Sequence, residues 1–403
     1  MTVQGTVAVK QCHAPDERQL DLGVGSRAVF RADPLSFVPG TVVIRDGVIV
    51  GLEDRMQQAE FPVRQFGESL IVPGLVDLHG HPGAMGRFSV EPDSHFLGRG
   101  TTTVLAQGEA GSAAWEGYRD SVIQTAGTRI SLALNASTEG YPSSVNHRAY
   151  CIEQVEDIDV DACVGAIDEG RGMIWGISLC TSIGPGACAP SVDPMKAMER
   201  TLQIAETVGC PILLGTRMNE DWPLDAQLSL LRSGDVVTYC FHPLSEGILR
   251  HDGRVRDSVW EARERGVLFD LGFGTVSFSY RIAEAAIEQG FFPDTISSDL
   301  HARHLGRIPR HDLPLVLSVA IAAGIPELEA FLAATKRPAE ILGLGESIGA
   351  LDVGCVADLT VLGKSGDMVE LRDGEGGARR GYHYFARAVF RSGEQVEILQ
   401  DVR

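Results

Sequence analysis

Basic charge is scarce in this chain: 35 Lys and Arg stand against 54 Asp and Glu, a formal net charge of −19. That deficit excludes the electrostatic footprint of a nucleic-acid binder and of a protein drawn to an anionic membrane surface. No apolar run is long enough to span a bilayer. The eight cysteines (12, 151, 163, 180, 188, 210, 240 and 355) contain no C-x-x-C pair, which excludes the common zinc-ribbon and dithiol motifs. They read as reduced thiols filling a core, with Cys180 and Cys240 set apart because each falls near an expected strand end. The opening Met1–Lys10 lacks the ordered basic start, apolar centre and cleavage site of a secretion signal, so a cytoplasmic location is expected by default. Internal repeats and low-complexity tracts are also missing.

What is present is length and alternation. At 403 residues the chain exceeds a single ordinary core, and two domains, or one barrel with an appendage, are expected. Residues 1–70 read as short strands: Thr2–Val9, Arg27–Phe30, Thr41–Arg45 and Val48–Leu52, the last two joined by the two-residue turn Asp46-Gly47. A second β-like region runs through Gly349–Leu362 and Ala386–Leu399, with the Gly-rich, charged stretch Lys364–Gly381 read as an exposed loop. Between these ends, apolar runs alternate with helical stretches such as Pro194–Val208, Arg256–Arg265 and Tyr280–Gln289. The runs are Gly74–His79, Thr102–Gln107, Ile130–Asn135, Ile174–Leu179, Pro211–Leu214, Val236–Phe241, Val267–Phe273 and Thr295–Asp299. Such βα repetition predicts an α/β protein built on a TIM-like (β/α)8 barrel, with its site where the strands end. The expected boundaries are 1–70, 71–344 for the barrel, and 345–403.

One stretch organises the rest: Ile71-Val-Pro-Gly-Leu-Val-Asp-Leu-His-Gly-His-Pro82. Alternate residues of an extended segment point the same way, so His79 and His81 can converge on one metal ion. Pro82-Gly83 then ends the strand. A bare H-x-H is weak evidence, and its bland reading is a pair of structural histidines. The whole phrase resembles the first barrel strand of the amidohydrolase superfamily, P-G-(h)-(h)-D-x-H-x-H.

The resemblance extends over nearly the whole chain. Gly349–Leu362 is similar to the superfamily's return phrase G-x-(h)-x-x-G-x-x-A-D-(h), and Lys336–Leu344 to the helix before it. Asp159–Ala162, Glu261–Asp270, Ser277-Phe-Ser, Ala283–Gly290 and Pro293–Ala302 resemble one branch, the dihydroorotase-like deacetylases of acetylated amino or hydroxy acids. This resemblance implies a barrel whose two chain ends pack together as a small β-sandwich. It also suggests a small polar substrate, a carboxylate-bearing amide or ester, and commonly a homo-oligomer.

In the superfamily a two-zinc site takes H-x-H, a carboxylated lysine, histidines from strands five and six, and an aspartate from strand eight. This chain matches with His79, His81 and Asp299, but has Ser178, Gly215 and Tyr239 where the lysine and histidines are expected. Phe273 stands where a further histidine is expected after strand seven, and Ala106 at the strand-two aspartate. Serine cannot form the bridging carbamate, and glycine and phenylalanine offer no ligand. The resemblance therefore implies one divalent ion, zinc first with manganese or iron as alternatives, on His79, His81 and Asp299.

By the same resemblance Asp299 also serves as proton shuttle; its bland reading is a helix cap. Tyr239 is a candidate to polarise the substrate carbonyl, and His242 a candidate to swing in for the missing histidine, as is Glu109 from the neighbouring strand end. Arg217 suits a substrate carboxylate, against an ion pair with Glu220 or Asp221. His301 and Arg303 are expected at the entrance, touching substrate or only solvent. The expected activity is hydrolysis of an amide, lactam or ester by a metal-activated water. A decarboxylase-like or lyase-like relative, and a metal-depleted binding subunit, stay open on the sequence.

Overall fold

The computed structural model describes residues 22–53 and 61–398, apart from 85, 144, 145, 185, 275 and 308. The expected strand Thr2–Val9 and Cys12 lie outside them. Among the described residues no cysteine is in a disulfide.

Five strands precede the barrel: β1 (Leu22–Ala32), β2 (Leu35–Arg45), β3 (Val48–Glu53), β4 (Val63–Gln65) and β5 (Leu70–Pro73). Asp46 and Gly47, with φ of 51° and 78°, make the tight turn between β2 and β3, the positive φ at both central residues matching the right-handed twist of the flanking strands. The barrel strands are β6 (Leu75–Gly80), β7 (Thr101–Gln107), β8 (Arg129–Asn135), β9 (Ile174–Cys180), β10 (Ile212–Gly215), β11 (Val236–Thr238) and β12 (Leu268–Phe269). After them come β13 (Leu359–Lys364), β14 (Val369–Arg372), β15 (Ala378–Gly381), β16 (Tyr384–Arg391) and β17 (Glu394–Val396).

β6 to β12 lie in sequence order as one parallel sheet, with helices such as Pro194–Val208 and Tyr280–Ile287 in the crossovers. The eighth place is taken by Thr295–Leu300, which bridges both free edges: Asp270 pairs with Thr295 and Gly80 with Leu300, both parallel. Backbone bonds from Phe273 N to Ser297 O (3.0 Å) and from Asp299 N to His79 O (2.8 Å) close the ring. The chain therefore folds as a TIM-like barrel.

Three strand ends fall short of expectation for a common reason. β11 stops at Thr238 because Tyr239 turns left-handed (φ 65°), and β12 stops before Gly272 (φ 57°). Thr295–Asp299 forms bridges rather than a ladder, and Asp299 itself has φ 47°. Non-glycine residues pay for that conformation, and it concentrates where a side chain must be re-aimed.

The two chain ends meet in one mixed sheet ordered β17-β16-β13-β5-β1-β2-β3, with β4 also on β1. The seam is β5 against β13, antiparallel, with Pro73 opposite Leu359 and Leu70 opposite Leu362. It carries its own core, including Val24, Val42, Ile71, Leu359, Val361 and Phe390. Another cluster gathers Val76, Leu105, Ala133, Leu213 and Val236 from five barrel strands with Leu342 and Ile348, so the barrel interior is filled.

The reading of 364–381 as a loop is corrected. β14 and β15 form a hairpin there, with Leu371 buried. Arg379 forks onto Glu284 (2.5 and 2.7 Å), and Asp373 accepts from the Tyr280 backbone at 2.9 Å. The expected exposure holds for most of its charges, including Lys364, Glu370, Arg372 and Arg380, while Asp373 and Arg379 tie the hairpin to the Tyr280–Ile287 helix.

Candidate metal and substrate site

β6 delivers His79 at its end, and His81 follows one step beyond. Both are buried, and their Nε2 atoms converge on Asp299 Oδ1, at 3.3 Å from His79 and 3.1 Å from His81. Nε2 of each ring faces the centre because Nδ1 is occupied behind it. His79 Nδ1 lies 2.8 Å from Thr238 Oγ1, and the Thr238 hydroxyl donates to Asp270 Oδ2 at 2.7 Å. His81 Nδ1 lies 2.6 Å from Glu109 Oε1, whose other oxygen accepts from Ser89. Carboxylates set behind ligating imidazoles fix ring orientation and raise basicity.

Asp270 is itself held by Thr295 Oγ1 (2.7 Å) and Ser297 Oγ (2.6 Å). Asp77 accepts from the Ser298 backbone at 3.0 Å and from the Ser298 hydroxyl. The closing segment is thus pinned by two buried carboxylates on either side of Asp299.

Burial would strip charge from these groups, and their mutual attraction restores it. Burial pulls the His79 imidazole down, but Asp299 and Asp270 together carry it up to about 10. His81 is likewise pulled down by burial and carried up to about 9 by Asp299 and Glu109. Burial raises Asp299, but His79 and His81 hold its carboxyl well below the usual range. Asp77, which has no cation as close, is pushed by burial up to about 7. Asp299 is therefore an anion facing imidazoles that a metal ion would deprotonate.

The donor set fits a metal. Among the described residues His79, His81 and Asp299 are the group of His, Cys, Asp and Glu donors able to share an ion, their ligand atoms all within 4.8 Å. Two imidazoles and a carboxylate suit zinc, manganese or iron. At the other expected positions, Ala106 and Ser178 are buried, and a Cβ on Gly215 would meet Cys180 Sγ at 2.8 Å. Phe273 turns away, packing on Phe278 (5.3 Å) and His311 (5.5 Å) beside a separate cavity of about 440 Å³.

A cleft of about 550 Å³ opens over His81 and Asp299. His81, Asp299, Tyr239, His301 and Arg303 line it with Phe88, Tyr141 and Cys180. Tyr239 brings its hydroxyl to 3.2 Å from His79 Nε2. Burial and nearby Asp299 push its phenol well above the ordinary range. His301 stands edge-on to His81 (5.7 Å) and lies tilted against His304 (3.9 Å), and burial pushes it down to about 4. The exposed Arg303 guanidinium lies 5.0 Å over the Phe88 ring.

The remaining sequence candidates stand elsewhere. Arg217 does not line the cleft: its guanidinium is on Asp221 (Nε, 2.9 Å) and the Thr181 carbonyl (3.0 Å). His242 is buried, accepts from Leu244 N at 3.1 Å, and is pushed by burial down to about 4. Glu109 reaches His81 on the Nδ1 side, behind the ring. Cys180 is in the cleft wall, whereas Cys240 is buried outside it. Sequence reasoning missed Thr238, Asp270 and Gly274. A Cβ on Gly274 would lie 2.4 Å from Asp299 Oδ2 and 2.8 Å from Ser277 Oγ. The signals were a threonine just before Tyr239 and an aspartate ending an apolar run.

Residues 279–390 match the Amidohydrolase family. A deacetylase of Agrobacterium fabrum is 31% identical over 315 residues, 77% of this chain and 75% of the relative. A deacetylase of Enterococcus faecalis is 28% identical, covering 75% of this chain and 80% of its own. A dihydroorotase crystal structure superposes with a TM-score of 0.81 at 27% identity, over 94% of this chain and 98% of that one. An adenine deaminase superposes at 0.82 with 24% identity, over 94% and 100%, a likeness of fold.

Proposed function

Because this chain belongs to the amidohydrolase family and is an enzyme hydrolysing carbon–nitrogen bonds, we propose that it removes an acyl group from a small polar amide using one divalent ion. The observation that carries this reading is the convergence of His79 Nε2, His81 Nε2 and Asp299 Oδ1, each imidazole braced from behind. Zinc is the first expectation, manganese or iron the alternatives. When bound, the ion supplies Lewis acidity, lowering the pKa of water and polarising a carbonyl.

The residues divide the rest of the work. Asp299 commits Oδ1 to the imidazoles, and among the described residues Oδ2 accepts no hydrogen bond. That oxygen takes a proton from the attacking water and returns it to the leaving nitrogen. Arg303 pairs with a substrate carboxylate, and His301, neutral at pH 7, donates or accepts beside it. Arg217 and His242 support the walls of the site through their bonds to Asp221, Thr181 and Leu244. The deacetylase relatives favour acetyl as the acyl group, and an ester or lactam would follow the same course.

The ligand vacancies at Ser178, Gly215 and Phe273 support a mononuclear site. We also take 1–70 with 345–403 as a sandwich-like domain seated on a barrel of 71–344, in a cytoplasmic homo-oligomer acting on small molecules, not nucleic acid. No described helix is long and apolar enough to cross a membrane.

The test is turnover of N-acetylated amino acids in labelled water by metal-loaded protein. Label should enter the released acetate, and His79→Ala and Asp299→Asn should each abolish the reaction. Full activity of either variant, or of chelated protein, would sink the proposal. Release of carbon dioxide without label would favour a lyase, and absence of metal with absence of turnover a binding subunit.

A further inference from the structure

We propose that Tyr239 is a metal ligand: its phenolate oxygen joins His79 Nε2, His81 Nε2 and Asp299 Oδ1 as a fourth protein donor, with a fifth position on the ion left open to water. The inference rests on the metal-dependent reading above and assigns Tyr239 a role other than donor to the substrate carbonyl.

Three contacts among the four donors fit ligands sharing one ion. Bonds of about 2.0–2.1 Å to nitrogen or oxygen place neighbouring ligands of a five-coordinate ion about 2.9–3.6 Å apart. Tyr239 Oη lies 3.2 Å from His79 Nε2, Asp299 Oδ1 3.3 Å from His79 Nε2, and Asp299 Oδ1 3.1 Å from His81 Nε2. Among the described residues the phenol oxygen has no hydrogen-bond partner other than His79 Nε2. Its ring leans on the His79 ring, with centroids 5.0 Å apart.

The backbone is bent to achieve this. Tyr239 and Asp299 are both left-handed non-glycine residues at strand ends, with φ of 65° and 47°, and both bring an oxygen to His79 Nε2. Such strain persists where the surroundings over-determine it, as at ligand clamps. Room for the ring comes from Gly272, where a Cβ would lie 2.8 Å from Tyr239 Cδ1 and 2.4 Å from Thr238 Oγ1. Tyr239 thus stands where the sixth strand is expected to place a histidine, with an oxygen donor in place of nitrogen.

The step is balanced without redox change. The phenol O–H bond breaks, the proton leaves through the cleft to solvent, and an oxygen lone pair forms the metal–oxygen bond. With a divalent ion, two anionic and two neutral donors leave the site with no net charge.

The experiment strips the full-length protein and reloads it, first with zinc and then with ferric iron. Zinc should produce the near-ultraviolet difference spectrum of one ionised tyrosine per ion, and ferric iron a visible phenolate-to-iron charge-transfer band. Both should vanish in Tyr239→Phe and persist in Tyr141→Phe, which alters another tyrosine of the same cleft. Tyr239→Phe should weaken zinc binding on the order of tenfold or more in a chelator competition. Tyr239→His should restore affinity without the tyrosine signal, which separates lost ligation from lost folding. Wild-type protein that binds one zinc per chain with neither signature overturns the inference and leaves the hydrolase reading standing. Wild-type protein that binds no ion removes both.

Discussion

Replacing Glu109 with Gln changes one atom and removes one charge, 2.6 Å from His81 Nδ1. Glutamine can still accept from the imidazole, but as a neutral partner, and its amide meets the Ser89 hydroxyl that Oε2 now accepts from. Hydrogen bonds to charged groups contribute about 1.5–3 kcal/mol, against about 1 kcal/mol for neutral ones. The difference, about 1–2 kcal/mol, converts to roughly ten-fold at 1.4 kcal/mol per decade. Partners behind metal ligands typically change affinity by about 10–100-fold. Glu109→Gln should therefore weaken zinc binding by about that factor while keeping one ion per chain, measured by competition with a chromophoric chelator. Unchanged affinity would refute the bracing role. Loss of all binding would mean that Glu109 holds the ion itself.

Two further outcomes can be checked without knowing the substrate beyond its class. Gly274→Ala sets a methyl 2.4 Å from Asp299 Oδ2, so kcat should fall on the order of 100-fold with the fold retained by circular dichroism; normal turnover would show that Oδ2 has slack. His311 is buried and pairs through Nε2 with the Ser298 carbonyl at 2.7 Å, and burial pushes its pKa from the ordinary 6.5 to about 4. The unfolded chain takes up this proton first, so the contribution is complete above about pH 6.5 and is lost as pH falls toward 4, about 3 kcal/mol in all. Urea denaturation at a series of pH values should show this decline reduced in His311→Gln, and an identical slope in the variant would exclude His311 as its source.

Most of the barrel was legible because its strands are apolar runs that end in punctuating residues. The helix Pro194–Val208 was read to its last residue, with Asp193 capping one end and left-handed Gly209 the other. His79 and His81 were legible because the period of two is local. What was not legible depends on partners far along the chain. Nothing beside Thr238 announces that its hydroxyl links His79 to Asp270, thirty-two residues on. The hairpin of 364–381 read as a loop because Glu284 and Tyr280, the partners of Arg379 and Asp373, lie in a helix some ninety residues earlier. Arg217 offered two partners on paper, and only folding chose Asp221.

The ring closes through its last segment, Thr295–Leu300, against its first strand. His81 and Asp299 are 218 positions apart, and β5 meets β13 only after the barrel has been passed. Contacts of such separation form late, because the loop they close must first be ordered. A nascent chain therefore carries both histidines exposed, with no aspartate to join them, through most of its synthesis. On the metal-dependent reading, the three donors can share an ion only once Thr295–Leu300 has closed the ring.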